Sequence, residues 1–193
     1  MPLAEPVATR GARACAANTT IRHVATRSLL ARGRARLACV CGRFTLTVSH
    51  LAEVAEAVGA WLSPDLAAEY RPRFNVAPTQ RHPIVRADAG RRELVPAHWG
   101  LVPAFAKDRS IGHRLINARG ESVAEKPAFR AAYRSRRCVV PADGFYEWTG
   151  PKGARQPVWF HAPDRSLLWL AGLFAMWTDR ATGEVLTDRK SVV

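Results

Sequence analysis

The pattern of apolar and polar positions changes character at about residue 41. Downstream of it, Thr45-Leu46-Thr47-Val48 alternates with the period of a half-buried strand. Leu51, Val54, Ala55 and Val58 then recur at helical spacing after Ser49, a favourable N-cap, and Gly59 can close the last turn. A Pro-punctuated loop is predicted next, through Tyr70-Arg71-Pro72-Arg73-Phe74-Asn75-Val76-Ala77-Pro78-Thr79. Pro83–Arg86, an Asp88-Ala89-Gly90 turn and Glu93–Trp99 read as a hairpin. Gly100–Gly112 reads as loop, Leu115–Arg119 as a short apolar stretch, and Glu121 to about Arg136 as a helix with Phe129 and Tyr133 on one face. Cys138–Pro141 has the look of a buried strand, and Asp143-Gly144 turns the chain into Phe145–Trp148. Val158–His161 and Leu167–Phe174 are further strands, followed by a loop over Asp179–Glu184 and the start of another strand. Many short strands with two helices predict one α+β domain with a mainly antiparallel sheet.

The two ends read differently. Residues 1–40 hold seven arginines against one acid, Glu5, and lack the apolar run of a secretory signal. Such a leader resembles an organelle transit peptide, or translation of GC-rich DNA upstream of the true start; the second reading is preferred. Val40 fits it, because an alternative GTG start codon reads as valine when internal. A start there would leave Cys41 N-terminal after methionine removal. At the other end, Asp188-Arg189-Lys190-Ser191-Val192-Val193 matches one reading frame of a common sequencing adapter. The expected organisation is therefore a leader over 1–40, a domain over 41–187 and a non-native tail over 188–193.

The chain has 193 residues, 48% of them apolar, enough for a real core and unlike a disordered chain. Twenty-nine basic residues against 16 acidic give a net charge of +13. Most of the cations are arginines, whose planar fork suits phosphate, so a polyanion such as nucleic acid is the partner class implied, with a merely basic surface about equally consistent with composition alone. No apolar run approaches the roughly 20 residues of a membrane span. Cys15, Cys39, Cys41 and Cys138 show no disulfide framework, and neither they nor the six histidines show metal-ligand spacing. No cofactor motif is present, and a reducing compartment fits best.

Three residues could carry chemistry. Cys41 is either a small buried residue or, if N-terminal, a 1,2-aminothiol. Its α-amine would titrate at roughly 7.7–8 and its thiol at about 8.5. Such an amine attacks an aldehyde to give a Schiff base, which the thiol then closes to a thiazolidine. Glu147, between Tyr146 and Trp148, is either a surface acid or a partly desolvated general acid/base with a raised pKa. Asn117 is an amide in an apolar setting that could orient a reacting group or satisfy backbone. Arg43, Arg73 and Arg119 could neutralise phosphates, while Trp99, Phe105 and Phe74 could stack on bases, a mixture suited to single strands.

Five blocks, in order, resemble the SOS-response-associated peptidase (SRAP) family. They are Cys41-Gly42-Arg43-Phe44, Phe74-Asn75-Val76-Ala77-Pro78, Trp99-Gly100-Leu101-Val102-Pro103, Ile116-Asn117-Ala118-Arg119-Gly120-Glu121 and Cys138–Trp148. The resemblance implies a barrel-like fold and a sensor of abasic sites in single-stranded DNA. Its N-terminal cysteine crosslinks to the ring-opened sugar, and a peptidase activity removes residues before that cysteine. It implies Cys41 as nucleophile, Asn117 as positioning group and Glu147 as proton carrier. Arg43 and Arg119 would hold phosphates, and Trp99 with Asn75 through Pro78 would shape the DNA-binding face. It further implies a cytoplasmic, nucleoid-associated monomer that needs no metal. Two departures stand out: Cys41 is internal as written, and the family's catalytic histidine would lie beyond residue 193, leaving a sheet edge unpaired. His161 is not its substitute. The alternative is a reversible single-stranded DNA-binding fragment without catalysis; a third reading is a cysteine-type peptidase acting on its own leader.

Overall fold

The computed structural model describes residues 22–25 and 42–192. These form twelve strands, three α-helices and two 3-10 turns. In chain order they are β1 (Arg22–Ala25), β2 (Arg43–Leu46), α1 (Leu51–Val58), β3 (Trp61–Leu62), α2 (Pro64–Glu69), β4 (Arg73–Val76), β5 (Arg81–Asp88), β6 (Arg91–Trp99), a 3-10 turn over Arg109–Arg114, β7 (Asn117–Ala118), a second over Gly120–Ser122, α3 (Pro127–Ser135), β8 (Arg137–Ala142), β9 (Gly144–Thr149), β10 (Gln156–His161), β11 (Leu168–Thr178) and β12 (Val185–Val192).

A five-stranded barrel is the centre of the molecule. Its strands follow in the order β6, β5, β8, β11 and β12, and β12 returns to pair with β6, which closes the ring. Closure leaves no barrel edge to be covered. Alternate positions point inward: Ile84 from β5, Ala97 and Trp99 from β6, Cys138 and Val140 from β8, and Phe174 from β11 form one buried cluster. The second sheet, in the order β1, β10, β9, β2 and β4, caps this barrel. Phe44 of β2 is the plug: its ring lies 4.9 Å from Trp99 and meets His82 edge-on at 4.6 Å. Outside the barrel, α1 packs Leu51, Val54 and Ala55 on Val85 and Leu94, and α3 packs Phe129 and Ala132 on Leu173 and Ala175.

Several sequence-based expectations shift. Helix α1 is capped by His50 rather than Ser49; the Glu53 carboxylate accepts the His50 N–H at 3.0 Å, and Gly59 ends the helix in the left-handed region as expected. The loop assigned to residues 60–79 contains α2, which Ser63 caps through a bond from the Leu66 N–H to its hydroxyl, with Pro64 at the first helical position. The predicted helix over Glu121–Arg136 begins only at Pro127, because the preceding turn is 3-10. The β5–β6 hairpin is longer than predicted, joined by Ala89 and Gly90, both at positive φ.

The expectation of an unpaired edge at the C-terminal side is also corrected. Strand β12 pairs with β11 on one side and with β6 and β7 on the other. Asp188, Arg189, Lys190 and Ser191 are all buried in it.

Candidate functional site

Strand β2 carries the residues that follow Cys41. It is held between β9, with Arg43 opposite Tyr146 and Phe44 opposite Phe145, and β4, with Phe44 opposite Val76. Cys41 itself lies outside the described residues. A buried rivet sets the position of β2. The carboxylate of Asp143 accepts the Thr45 hydroxyl, and also the Thr47 N–H and the Thr47 hydroxyl, both at 2.5 Å. The Trp159 indole N–H completes the network by donating to the Thr45 hydroxyl at 3.2 Å. Gly144 makes this possible, since a Cβ there would stand 2.1 Å from the Trp159 nitrogen.

On the exposed side of this strand, Arg43 Nη1 donates to Asn75 Oδ1 at 3.0 Å. The Tyr146 hydroxyl donates to the Phe74 carbonyl at 3.2 Å, tying β9 to β4. Burial, and next to it the charge of Asp143, raises the Tyr146 pKa, so this phenol stays a donor. Glu147 follows on β9, half-buried and opposite Val158 of β10. Glu147 is one residue past Tyr146, the partner of Arg43, so it lies beside the point where the chain enters β2.

The segment from Asn75 to Pro78 is fixed from behind. Gln80 Oε1 accepts from Arg73 Nη2 at 2.6 Å and from the Ala77 N–H at 3.0 Å. The backbone of Trp99 finishes the clamp: its N–H donates to the Gln80 carbonyl, and its carbonyl accepts the Thr79 N–H. Thr79 adopts φ 72°, which sharpens the corner after Pro78.

Trp99 corrects a sequence expectation. It is 1% exposed, at the centre of the barrel cluster, so it cannot stack on a base. Its indole N–H instead donates to the Ile116 carbonyl at 2.9 Å, immediately before Asn117. Trp99 therefore acts on both neighbours from within, holding the Pro78 corner through its backbone and the Asn117 strand through its ring. Asn117 is half-buried at the start of β7 and pairs with Ser191 of β12. Arg119 is exposed, two residues further on. Phe74 and Phe105 remain open to solvent at 68% and 65%. His161 is buried and packs against the Trp159 ring at 4.5 Å, its Nδ1 2.7 Å from the Ala162 carbonyl.

The structure thus brings Arg43, Asn75 and the Glu147 strand together, and links Asn117 to them through Phe44, Trp99 and Ile116. Sequence reasoning passed over Asp143, Gln80 and Tyr146. The signals were faint: a lone acid before a glycine, and polar side chains inside blocks already assigned to other roles. Among the described residues no group of three or more His, Cys, Asp or Glu side chains is placed to hold a metal ion, and no helix is long and apolar enough to cross a membrane.

A sequence model of the SOS response associated peptidase (SRAP) family matches residues 40–191, which include every element above except β1 and the final residue of β12. The chain belongs to the SRAP family. Among SRAP relatives, the abasic site processing protein YoqW of Bacillus subtilis is 40% identical over 141 residues, covering 72% of this chain and 61% of that protein. The abasic site processing protein HMCES of Xenopus tropicalis is 29% identical over 147 residues, covering 61% and 44%. The chain thus spans about three fifths of the length of the bacterial relatives it matches. A crystal structure of a Bacteroides thetaiotaomicron protein superposes with a TM-score of 0.70 at 23% identity, covering 78% of this chain and 66% of that one, which supports the SRAP fold alone.

Proposed function

We propose that this protein captures abasic sites in single-stranded DNA by a covalent bond to Cys41. The observation that carries the reading is the setting of β2. The strand leading out of Cys41 is riveted by Asp143 and flanked by the Arg43–Asn75 pair, and Glu147 lies on β9 one residue past the partner of Arg43. The names of YoqW and HMCES as abasic site processing proteins support the substrate class.

The chemistry needs the Val40–Cys41 bond to be absent, by internal initiation or by removal of the leader. The free amine nitrogen adds to the C1′ aldehyde carbon of the ring-opened sugar. One amine proton passes to the carbonyl oxygen, giving a carbinolamine; its hydroxyl leaves as water with a proton delivered by Glu147, and the remaining N–H proton returns to Glu147, giving an imine. The Cys41 sulfur then adds to the imine carbon, and the thiol proton passes to nitrogen. One aldehyde and one aminothiol become one thiazolidine and one water. Asn117 orients the reacting end, and Arg43 and Arg119 hold the phosphates that flank the lesion. Leader removal is itself the family's peptidase reaction, with Cys41 as its nucleophile.

Incubating the purified protein with an abasic single-stranded oligonucleotide, followed by a denaturing gel and intact-mass measurement, tests the proposal. The expected result is a shifted band from the species that begins at Cys41, and none from Cys41→Ala. A protein that begins at Cys41 and gives no band refutes covalent capture and leaves reversible binding. Leader loss in the wild type but not in Cys41→Ala identifies self-processing.

A further inference from the structure

Beside the Asn75–Pro78 segment the structure holds a cleft of about 250 Å³ between α2 and the start of β5. Arg71, Arg73 and Arg81 line it, against a single carboxylate, Glu69. Its apolar surface comes from Leu66, Tyr70 and Pro96. Two of the arginines are set by hydrogen bonds. Arg71 Nη1 donates to the Ala68 and Tyr70 carbonyls, each at 2.6 Å, and Arg73 donates to Gln80. Tyr70 is anchored in turn, its hydroxyl donating to the Leu46 carbonyl at 3.0 Å. Three guanidinium groups, two of them anchored, around one acid and with an apolar surface beside them have the chemistry to hold a phosphodiester and the sugar next to it.

We infer that this cleft is a second phosphate subsite, which binds the backbone of the same DNA strand away from the lesion. The inference rests on the reading that the strand passes Arg43 and Asn75. Arg73 stands two residues before Asn75 on β4, about 7 Å along the strand. Gln80 Oε1 joins the two places physically, since it accepts from Arg73 of the cleft and from Ala77 of the loop. A strand that leaves Asn75 along β4 therefore meets Arg73 first and Arg71 and Arg81 next. The cleft adds affinity and direction to binding and takes no part in the bond to Cys41.

The test is the salt dependence of binding to an undamaged single strand, together with crosslinking of an abasic one, in Arg71→Ala/Arg81→Ala. Each lost phosphate contact should lower the slope of log K against log salt by about 0.7. Binding of a long strand should weaken several-fold, while crosslinking at saturating DNA keeps its rate. A short abasic oligonucleotide trimmed to one nucleotide either side of the lesion should not distinguish variant from wild type. Arg71→Lys/Arg81→Lys should restore the slope. Arg91→Ala/Arg92→Ala, at the turn end of the β5–β6 hairpin, is the charge-matched control. A wild-type slope in Arg71→Ala/Arg81→Ala, or an equal loss in the control pair, overturns the subsite. Failure of the covalent reading is separate: the wild type gives no crosslinked band, while the slopes are still read.

Discussion

Replacing Arg189 with methionine should stabilise this protein. Arg189 stands on β12, the strand that closes the barrel, and has no solvent exposure. Its guanidinium lies 4.4 Å from the Trp99 ring and 4.9 Å from the Phe44 ring. Nη1 donates to the Ser191 hydroxyl at 3.0 Å, while Nε and Nη2 find no hydrogen-bond partner among the described residues. Burial lowers its pKa from 12.5 to about 9. At neutral pH that shift corresponds to about 5 kcal/mol against the charged form, since each unit is worth about 1.4 kcal/mol. Two ring contacts return roughly 1–2 kcal/mol each. Methionine keeps the packing against Trp99 and Phe44 without the charge or the two unpaired N–H groups, so a gain of about 1–4 kcal/mol is expected. For a domain of this size that raises Tm by roughly 2–16 °C, read by circular dichroism at pH 7. Arg189→Ala, which leaves a cavity, should melt well below Arg189→Met. A Tm for Arg189→Met several degrees below wild type would refute the reasoning, because the ring contacts and the Ser191 bond would then outweigh the cost of burying the charge.

The neighbours of Arg189 set a pH dependence. Burial, offset in part by the backbone of Val102 and Ala175 and by Arg136, raises Asp188 from 3.8 to about 8, so its contribution is lost as pH rises from 4 through 8. Burial, with Lys126 adding to it, lowers Lys190 from 10.5 to about 7, so its contribution returns as pH rises from 7 to 10.5. Urea midpoints should therefore pass through a minimum near pH 7–8, and a maximum there would count against both burials. Trp99→Phe removes one of the two donors to the Ile116 carbonyl, the Ser191 N–H being the other, and should cost about 0.5–1.5 kcal/mol, with faster amide exchange at Asn117 and Ala118; unchanged exchange would show that the indole does not hold β7. Gly144→Ala drives a Cβ into Trp159 and should cost roughly 1–3 kcal/mol in urea unfolding, whereas a neutral result would mean that β10 shifts freely. Asp143→Asn places an amide against donors from Thr45 and Thr47 and should cost about 2–3 kcal/mol; Asp143→Glu at wild-type stability would show that the rivet tolerates a longer reach.

Most of the strands were legible because the barrel wall imposes alternation on its sequence. Inward Ala97 and Trp99 of β6, and Cys138 and Val140 of β8, recur at the period of the pleat, and β5, β6 and β8 could be placed within a few residues. Short elements escaped because their signal is a cap rather than a period. Helix α2 buries no side chain completely, and only Ser63-Pro64 announces it. Strand β7 is two residues long, and its existence depends on β12 arriving beside it from across the barrel. Barrel closure itself is a contact between residues some ninety positions apart, Trp99 and Arg189, which no local pattern encodes.

The candidate site divides along the same line. Residues whose roles depend on chemical type, such as Cys41, Glu147 and the arginines, could be nominated from the sequence. Residues whose roles depend on geometry could not. Trp99 shows the difference. An aromatic ring among arginines invites a stacking assignment, but Phe44 fills the barrel mouth above it, and the ring turns inward. What remains available is the indole N–H and the backbone, and each reaches a different part of the site: Ile116 beside Asn117 in one direction, Thr79 and Gln80 beside Pro78 in the other. One buried residue thus reaches both Asn117, through its side chain, and the loop that carries Asn75, through its backbone. A substitution at Trp99 should therefore loosen the Asn117 strand while the backbone bonds to Thr79 and Gln80 keep the Pro78 corner.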